Sequence, residues 1–152
     1  MTDRERAGYV LSTDRSRVDV DTVHRWLSQD AYWALGRPRE VVEKTIEASW
    51  VWSVFAADGE QVAFLRAVTD GLTFAWICDV YVDPAHRGHG IATWVSTEAV
   101  ADLRGAGVDR LVLATSTAHA VYRRVGFTTP AEGRYMELDD RATASPSVAD
   151  AG

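Results

Sequence analysis

Apolar and polar positions along the chain alternate between two periods, and the switches divide it into short strands and amphipathic helices. Residues 9–13 read as a first strand. From 20 to 32 the apolar residues fall at Val20, Val23, Leu27 and Ala31, one face of a helix, with Asp19 or Asp21 as its N-cap. Gly36-Arg37-Pro38 interrupts that pattern. Pro38 then stands near the start of a second helix over 39–49, with Val42, Ile46 and Ser49 on one side. Residues 50–56 are dense in aromatic and β-branched side chains and end at Ala57-Asp58-Gly59, a hairpin signal. The partner strand covers 61–69, Asp70-Gly71 turns the chain, and a third run over 73–82 completes an antiparallel meander.

Pro84 ends that strand, since it cannot donate to a ladder. A helical pattern returns over 90–105, with Ile91, Val95, Ala99 and Leu103 four apart and Gly105 as the C-cap. Residues 111–114 form a short apolar strand of the kind buried on both faces, and 118–125 a short helix closed by Gly126. Residues 135–138 read as a last strand. The order β-α-α-β-β-β-α-β-α-β predicts one α+β domain over residues 1–140. Residues 141–152, rich in Ala, Ser and Asp, read as a disordered tail.

Composition narrows the function classes. The 152 residues are 47% hydrophobic and 25% charged, as in an ordinary globular domain. A net charge of −6 argues against nucleic acid as a partner. No apolar run approaches the ~20 residues of a membrane span, and the charged N-terminus resembles no secretory signal. Cys78 is the only cysteine, which leaves no internal disulfide and no cysteine-held metal; no metal is expected. A cytoplasmic protein, monomer or homodimer, is the simplest expectation.

The chemistry concentrates where the strand ending at Val82 turns into the next helix. Gly88 and Gly90 allow close backbone approach, the helix start offers N–H groups without intrahelical partners, and Arg87 adds a bidentate cation. Together they favour a phosphate. Two glycines also serve a plain tight turn, but not beside His86 and Arg87 at a helix start with equal ease. The dinucleotide fingerprint fails here: its third glycine would be Thr93, and no acidic residue ends the next strand.

Residues 80–92, Val-Tyr-Val-Asp-Pro-Ala-His-Arg-Gly-His-Gly-Ile-Ala, resemble motif A of the GCN5-related N-acetyltransferase (GNAT) superfamily, Gln/Arg-x-x-Gly-x-Gly/Ala, with Arg87, Gly90 and Ala92 at the signature positions. Residues 118–127, Ala-His-Ala-Val-Tyr-Arg-Arg-Val-Gly-Phe, resemble its motif B. The resemblance covers about residues 9–138. It implies the acyl-CoA N-acyltransferase fold, a mixed, mostly antiparallel sheet flanked by helices and splayed between its fourth and fifth strands, with acetyl-CoA as co-substrate in the gap. It further implies that the backbone of Arg87, Gly88, His89, Gly90, Ile91 and Ala92 binds the pyrophosphate and that Val80, Tyr81 and Val82 pair with the pantetheine arm. Tyr122 aligns with the tyrosine that protonates the departing thiolate, while Ser116 stands where the family often has a cofactor-contacting asparagine. The expected reaction is direct acetyl transfer to a small-molecule or peptide amine in a ternary complex. An acyl-CoA sensor without turnover and a transferase of longer acyl chains are the alternatives.

The general base stays open between Asp79, His119 and water. Asp79 lies within an apolar strand, where burial would raise its pKa toward base chemistry, or where it would pair structurally with an arginine. The acceptor pocket is expected at the first two helices and their loop, with His24, Tyr32 and Trp33 as its candidates.

Overall fold

The computed structural model describes residues 3–141. The chain divides into two compact units, Met1–Ala114 and Thr115–Gly152. The first holds one six-stranded sheet in the spatial order β1 (Arg4–Arg6), β2 (Tyr9–Ser12), β3 (Trp50–Phe55), β4 (Gln61–Thr69), β5 (Ala75–Val82), β6 (Leu111–Leu113). Every pairing is antiparallel except β5 with β6, which is parallel. The expected α+β class and mixed, mostly antiparallel sheet are thus what the chain forms.

Helices cover both faces. On one lie α1 (Val20–Gln29) and α2 (Arg39–Glu47), whose Val23, Trp26, Leu27, Val42 and Ile46 form a core with Val51, Phe64 and Tyr81 of the sheet. Asp19, rather than Asp21, caps α1 by accepting from the Thr22 N–H at 3.1 Å. On the other face lies α3 (Ile91–Gly105), which buries Val95, Ala99 and Leu103 completely. There Trp52 donates its indole N–H to Asp102 at 2.8 Å, so a large ring is buried without orphaning its donor.

Within the first unit three elements differ from the sequence reading. β1 is an added edge strand of Arg-Glu-Arg, held to α3 by Arg4, which lies 2.5 Å from Asp102 and 2.9 Å from Glu98. The helix α3 runs through Gly105, and the left-handed residue that stops it is Gly107, at φ +96°. β6 is half-buried rather than buried on both faces.

The second unit contains α4 (His119–Val125), ended by Gly126 at φ +113°. Tyr122 packs edge-on against Phe127 with ring centroids 6.0 Å apart. Residues 135–138 do not form the expected strand. A strand exists through its ladder, and residues 135–138 are not part of the six-stranded sheet; Met136 is 99% exposed. The predicted tail falls, beyond its first residue, outside the described residues.

Candidate active site

The site begins with an irregularity in β5. Cys78 pairs with Arg66 and Tyr81 with Phe64, so Asp79 and Val80 together face the single Leu65. This is a β-bulge, and Asp79 carries it at φ +51°, a left-handed conformation that Asp tolerates better than most residues. The extra residue changes which side chains face the α1–α2 core. Before the bulge, Trp76 and Cys78 share that face with their partners Val68 and Arg66. After it, Tyr81 does, beside Phe64. Without the bulge Tyr81 would turn to the α3 side.

The bulge coincides with a parting of strands. β6 pairs with β5 only at Ala75, Trp76 and Ile77, and then ends. From Cys78 to Val82, β5 has no β6 partner, so the backbone of Val80, Tyr81 and Val82 borders the splay.

Asp79 does not have the raised pKa that burial alone suggested. Its carboxylate is 1% exposed, yet Arg66 Nε lies 2.6 Å and Arg37 Nη1 2.7 Å from one oxygen, and Trp33 Nε1 donates to the other at 2.9 Å. Burial pushes the carboxyl up, but the two guanidinium groups and the indole hydrogen bond outweigh it and hold it below the ordinary carboxylate range. A carboxylate with every oxygen engaged is poorly placed to take a proton. Arg37 and Arg66 were not singled out in the sequence, although Arg66 gave the same signal as Asp79: a charge inside an apolar strand.

Cys78 differs in the opposite sense. Burial pushes its thiol up to about 11, which leaves almost no thiolate at neutral pH. Tyr81 is likewise pushed up to about 12, by burial and then by its hydrogen bond to Asp30. Its ring stacks on Trp26 at 5.2 Å, and the Arg87 guanidinium sits 5.4 Å from the ring centroid.

The turn after β5 leaves its backbone open to close approach. Asp83 caps a short 3-10 helix over Pro84–His86, accepting from the Ala85 N–H at 2.9 Å. Gly88 (φ +84°) and Gly90 (φ +73°) are both left-handed, and both are exposed. Gly90 is the N-cap of α3, whose first bond runs from the Trp94 N–H to the Gly90 carbonyl at 3.0 Å. The N–H groups of Gly90, Ile91, Ala92 and Thr93 therefore have no intrahelical acceptor. No side chain occupies the space above Gly88, and at Gly90 only the Arg6 guanidinium comes within 4 Å of where a Cβ would stand.

Neighbouring groups orient this turn. Arg87 donates from Nε to the Val82 carbonyl at 3.0 Å and keeps its outer nitrogen 3.6 Å from Asp30. His89 Nδ1 lies 3.1 Å from the His86 carbonyl, and His86 Nδ1 lies 2.9 Å from the Tyr9 hydroxyl. Six successive residues, Arg87 to Ala92, thus present backbone, a guanidinium and an imidazole at a helix start, which suits a pyrophosphate.

The acceptor candidates divide. Tyr32 and Trp33 stand edge-to-face at 5.0 Å in the loop between α1 and α2, each 37% exposed. His24 lies half-buried on α1, and no hydrogen bond or ion pair links it to the Asp79 cluster. Tyr122 and His119 lie in the second unit, half-buried and exposed respectively.

With this geometry in place, comparison with known proteins identifies the family. Residues 20–127 match the acetyltransferase (GNAT) family model, and the chain belongs to that family. It is 33% identical, over 79% of its length, to serotonin N-acetyltransferase 2, chloroplastic, of Oryza sativa subsp. japonica, covering 62% of that protein. It is 27% identical, over 86% of its length, to GCN5-related N-acetyltransferase 1, chloroplastic, of Arabidopsis thaliana, covering 67%. The chain spans about three fifths of the length of the first curated relatives it matches. A crystal structure of a GNAT-family protein from Xanthomonas campestris pv. campestris superposes with a TM-score of 0.80 at 41% identity, covering 86% of this chain and 92% of that one. Acetyl-CoA is the co-substrate typical of the family. Among the described residues, no helix is long and apolar enough to cross a membrane.

Proposed function

We propose that this chain is an acetyl-CoA-dependent N-acetyltransferase that passes the acetyl group directly to an amine within a ternary complex. The observation that carries the reading is the turn after β5: two left-handed glycines opening onto the unpaired N–H groups of α3, beside a strand that has parted from its neighbour.

Acetyl-CoA supplies the activated acetyl thioester. The backbone of Arg87, Gly88, His89, Gly90, Ile91 and Ala92 would hold its pyrophosphate, and Val80, Tyr81 and Val82 would offer strand-like hydrogen bonds to the pantetheine arm. An N–H near Val82 would polarise the acetyl carbonyl and stabilise the oxyanion. Direct attack is supported by Cys78, whose thiol at about 11 is no nucleophile at neutral pH. Tyr122 would return a proton to the departing thiolate, a role resting on its motif B position. With Asp79 engaged by two arginines, a water or His119 is the better acceptor for the ammonium proton.

The acceptor is an amine, either a small molecule or a peptide. The relative named as a serotonin N-acetyltransferase and the exposed Tyr32–Trp33 pair put aromatic amines first in the panel to test. Thiol release from acetyl-CoA, with the product identified by mass spectrometry, tests the reading. Amine-dependent release is expected; binding of acetyl-CoA with no release by any amine would contradict it.

A further inference from the structure

Asp79, Arg66, Arg37 and Trp33 form a buried polar cluster that the transfer chemistry leaves without a task. All three of its contacts reach Asp79 from elsewhere in the fold: Arg66 from β4, Arg37 and Trp33 from the loop between α1 and α2. Trp33 stands mid-loop and Arg37 two residues before α2, so the two bonds fix the second half of the loop. Arg66 also donates to the Ser49 hydroxyl at 3.1 Å, and Arg15 donates to the Ser49 carbonyl at 2.9 Å. The cluster is thus tied to the start of β3 as well. Its centre, Asp79, is the residue at which β5 bulges with positive φ. A strained backbone position persists when its surroundings over-determine it, and three bonds on one carboxylate do so.

We propose that Asp79 is a positioning residue: its carboxylate fastens the α1–α2 loop, through Trp33 and Arg37, to the bulge of β5, and so sets the acceptor wall against the strand beside the splay. The loop carries Tyr32 and Trp33, each 37% exposed. The bulge in turn decides that Tyr81, not Val80, faces the core under that loop. One carboxylate therefore couples the shape of the acceptor side to the register of β5. Cutting it loosens the loop and leaves the phosphate-binding turn as it was, because that turn hangs on Asp83, Val82 and the start of α3, and Asp30, which meets Arg87, is held by the last turn of α1.

The kinetic part of this inference rests on the acetyl-transfer reading, whereas its structural part does not. Hydrogen exchange by mass spectrometry on the full chain, without ligand, reads the loop directly. In Asp79→Asn the amides of residues 31–38 are expected to exchange at least about tenfold faster and independently of dilute urea, the mark of local opening and the scale of one lost hydrogen bond to a charged group, while any acceleration in α3 follows urea as global unfolding does. Unchanged exchange in the loop overturns the proposal. Where Asp79→Asn fails to fold, Arg37→Gln and Trp33→Phe remove the loop's side of the same bonds and are held to the same outcome. In steady-state assays Asp79→Asn should raise the acceptor KM roughly tenfold while the Kd of acetyl-CoA by calorimetry stays the same. An unchanged acceptor KM, or an equal loss of acetyl-CoA affinity, contradicts positioning. Asp79→Gly separates strain from fastening, because glycine accepts the positive φ without a carboxylate. It should share the Asn phenotype, and a normal acceptor KM in Asp79→Gly would overturn the assignment. Should wild type acetylate no amine, the enzymatic reading fails, and the exchange result still decides the proposal.

Discussion

At the residue scale, two positions carry most of the account. Asp79 lies in a run of apolar strand residues, which marked it as a residue needing a partner, and its neighbours turned out to be cations. Replacing it with Asn leaves Arg66 and Arg37 charged and uncompensated in a half-dry site, which should destabilise the fold by about 3 kcal/mol. The pH dependence follows from the depressed carboxyl. Its stabilisation is present above the ordinary carboxylate value and is lost as pH falls through the lower folded value. Urea unfolding of wild type and Asp79→Asn should therefore differ at neutral pH and converge below roughly pH 4. Tyr81 works in the opposite direction. Its raised value means that neutral Tyr81 stabilises the fold below roughly pH 10, and that this is lost as pH rises from there through about 12. Tyr81→Phe should flatten the alkaline limb of the same unfolding curve. Gly90 is the second position. A valine there meets a positive φ and the Arg6 guanidinium 3.3 Å from its Cβ, so acetyl-CoA binding should disappear in calorimetry. Unchanged binding would remove the phosphate role from this turn.

At the element scale, what was legible in the sequence were the segments whose pattern repeats. The α3 stripe of Ile91, Val95, Ala99 and Leu103 was read from spacing alone, and all four are buried. Leu103→Ala should cost about 3 kcal/mol by thermal unfolding, since its site is fully enclosed. β1 was invisible for a physical reason: Arg-Glu-Arg has no apolar face, and its place at the sheet edge depends on Glu98 and Asp102 nearly a hundred residues away. Residues 135–138 erred the other way. Their composition suits a strand, but pairing is what makes one. The bulge was hidden too, because an inserted residue disturbs alternation by one place only, and the aspartate was its single outward sign.

At the scale of the whole molecule, the candidate site was only partly readable. The Arg-Gly-His-Gly turn and its exit into a helix follow from local chemistry, and motif spacing extended that to a family. The arginines that grip Asp79 and the Asp30 contacts to Tyr81 and Arg87 come from loops and strands distant in sequence, which no local pattern pairs. Tyr122→Phe should lower kcat by about a hundredfold with little change in acetyl-CoA affinity, as loss of a general acid does. A full-rate variant would remove Tyr122 from that role.

The central claim is acetyl transfer from acetyl-CoA held at the turn after β5. It is tested most directly by incubating the chain with acetyl-CoA and a panel of amines led by aromatic ones, following free thiol and identifying the product by mass spectrometry. The account predicts an N-acetylated amine formed in step with thiol release, absent in Gly90→Val. Thiol release without an acetylated amine, or equal acetylation by Gly90→Val, would contradict it.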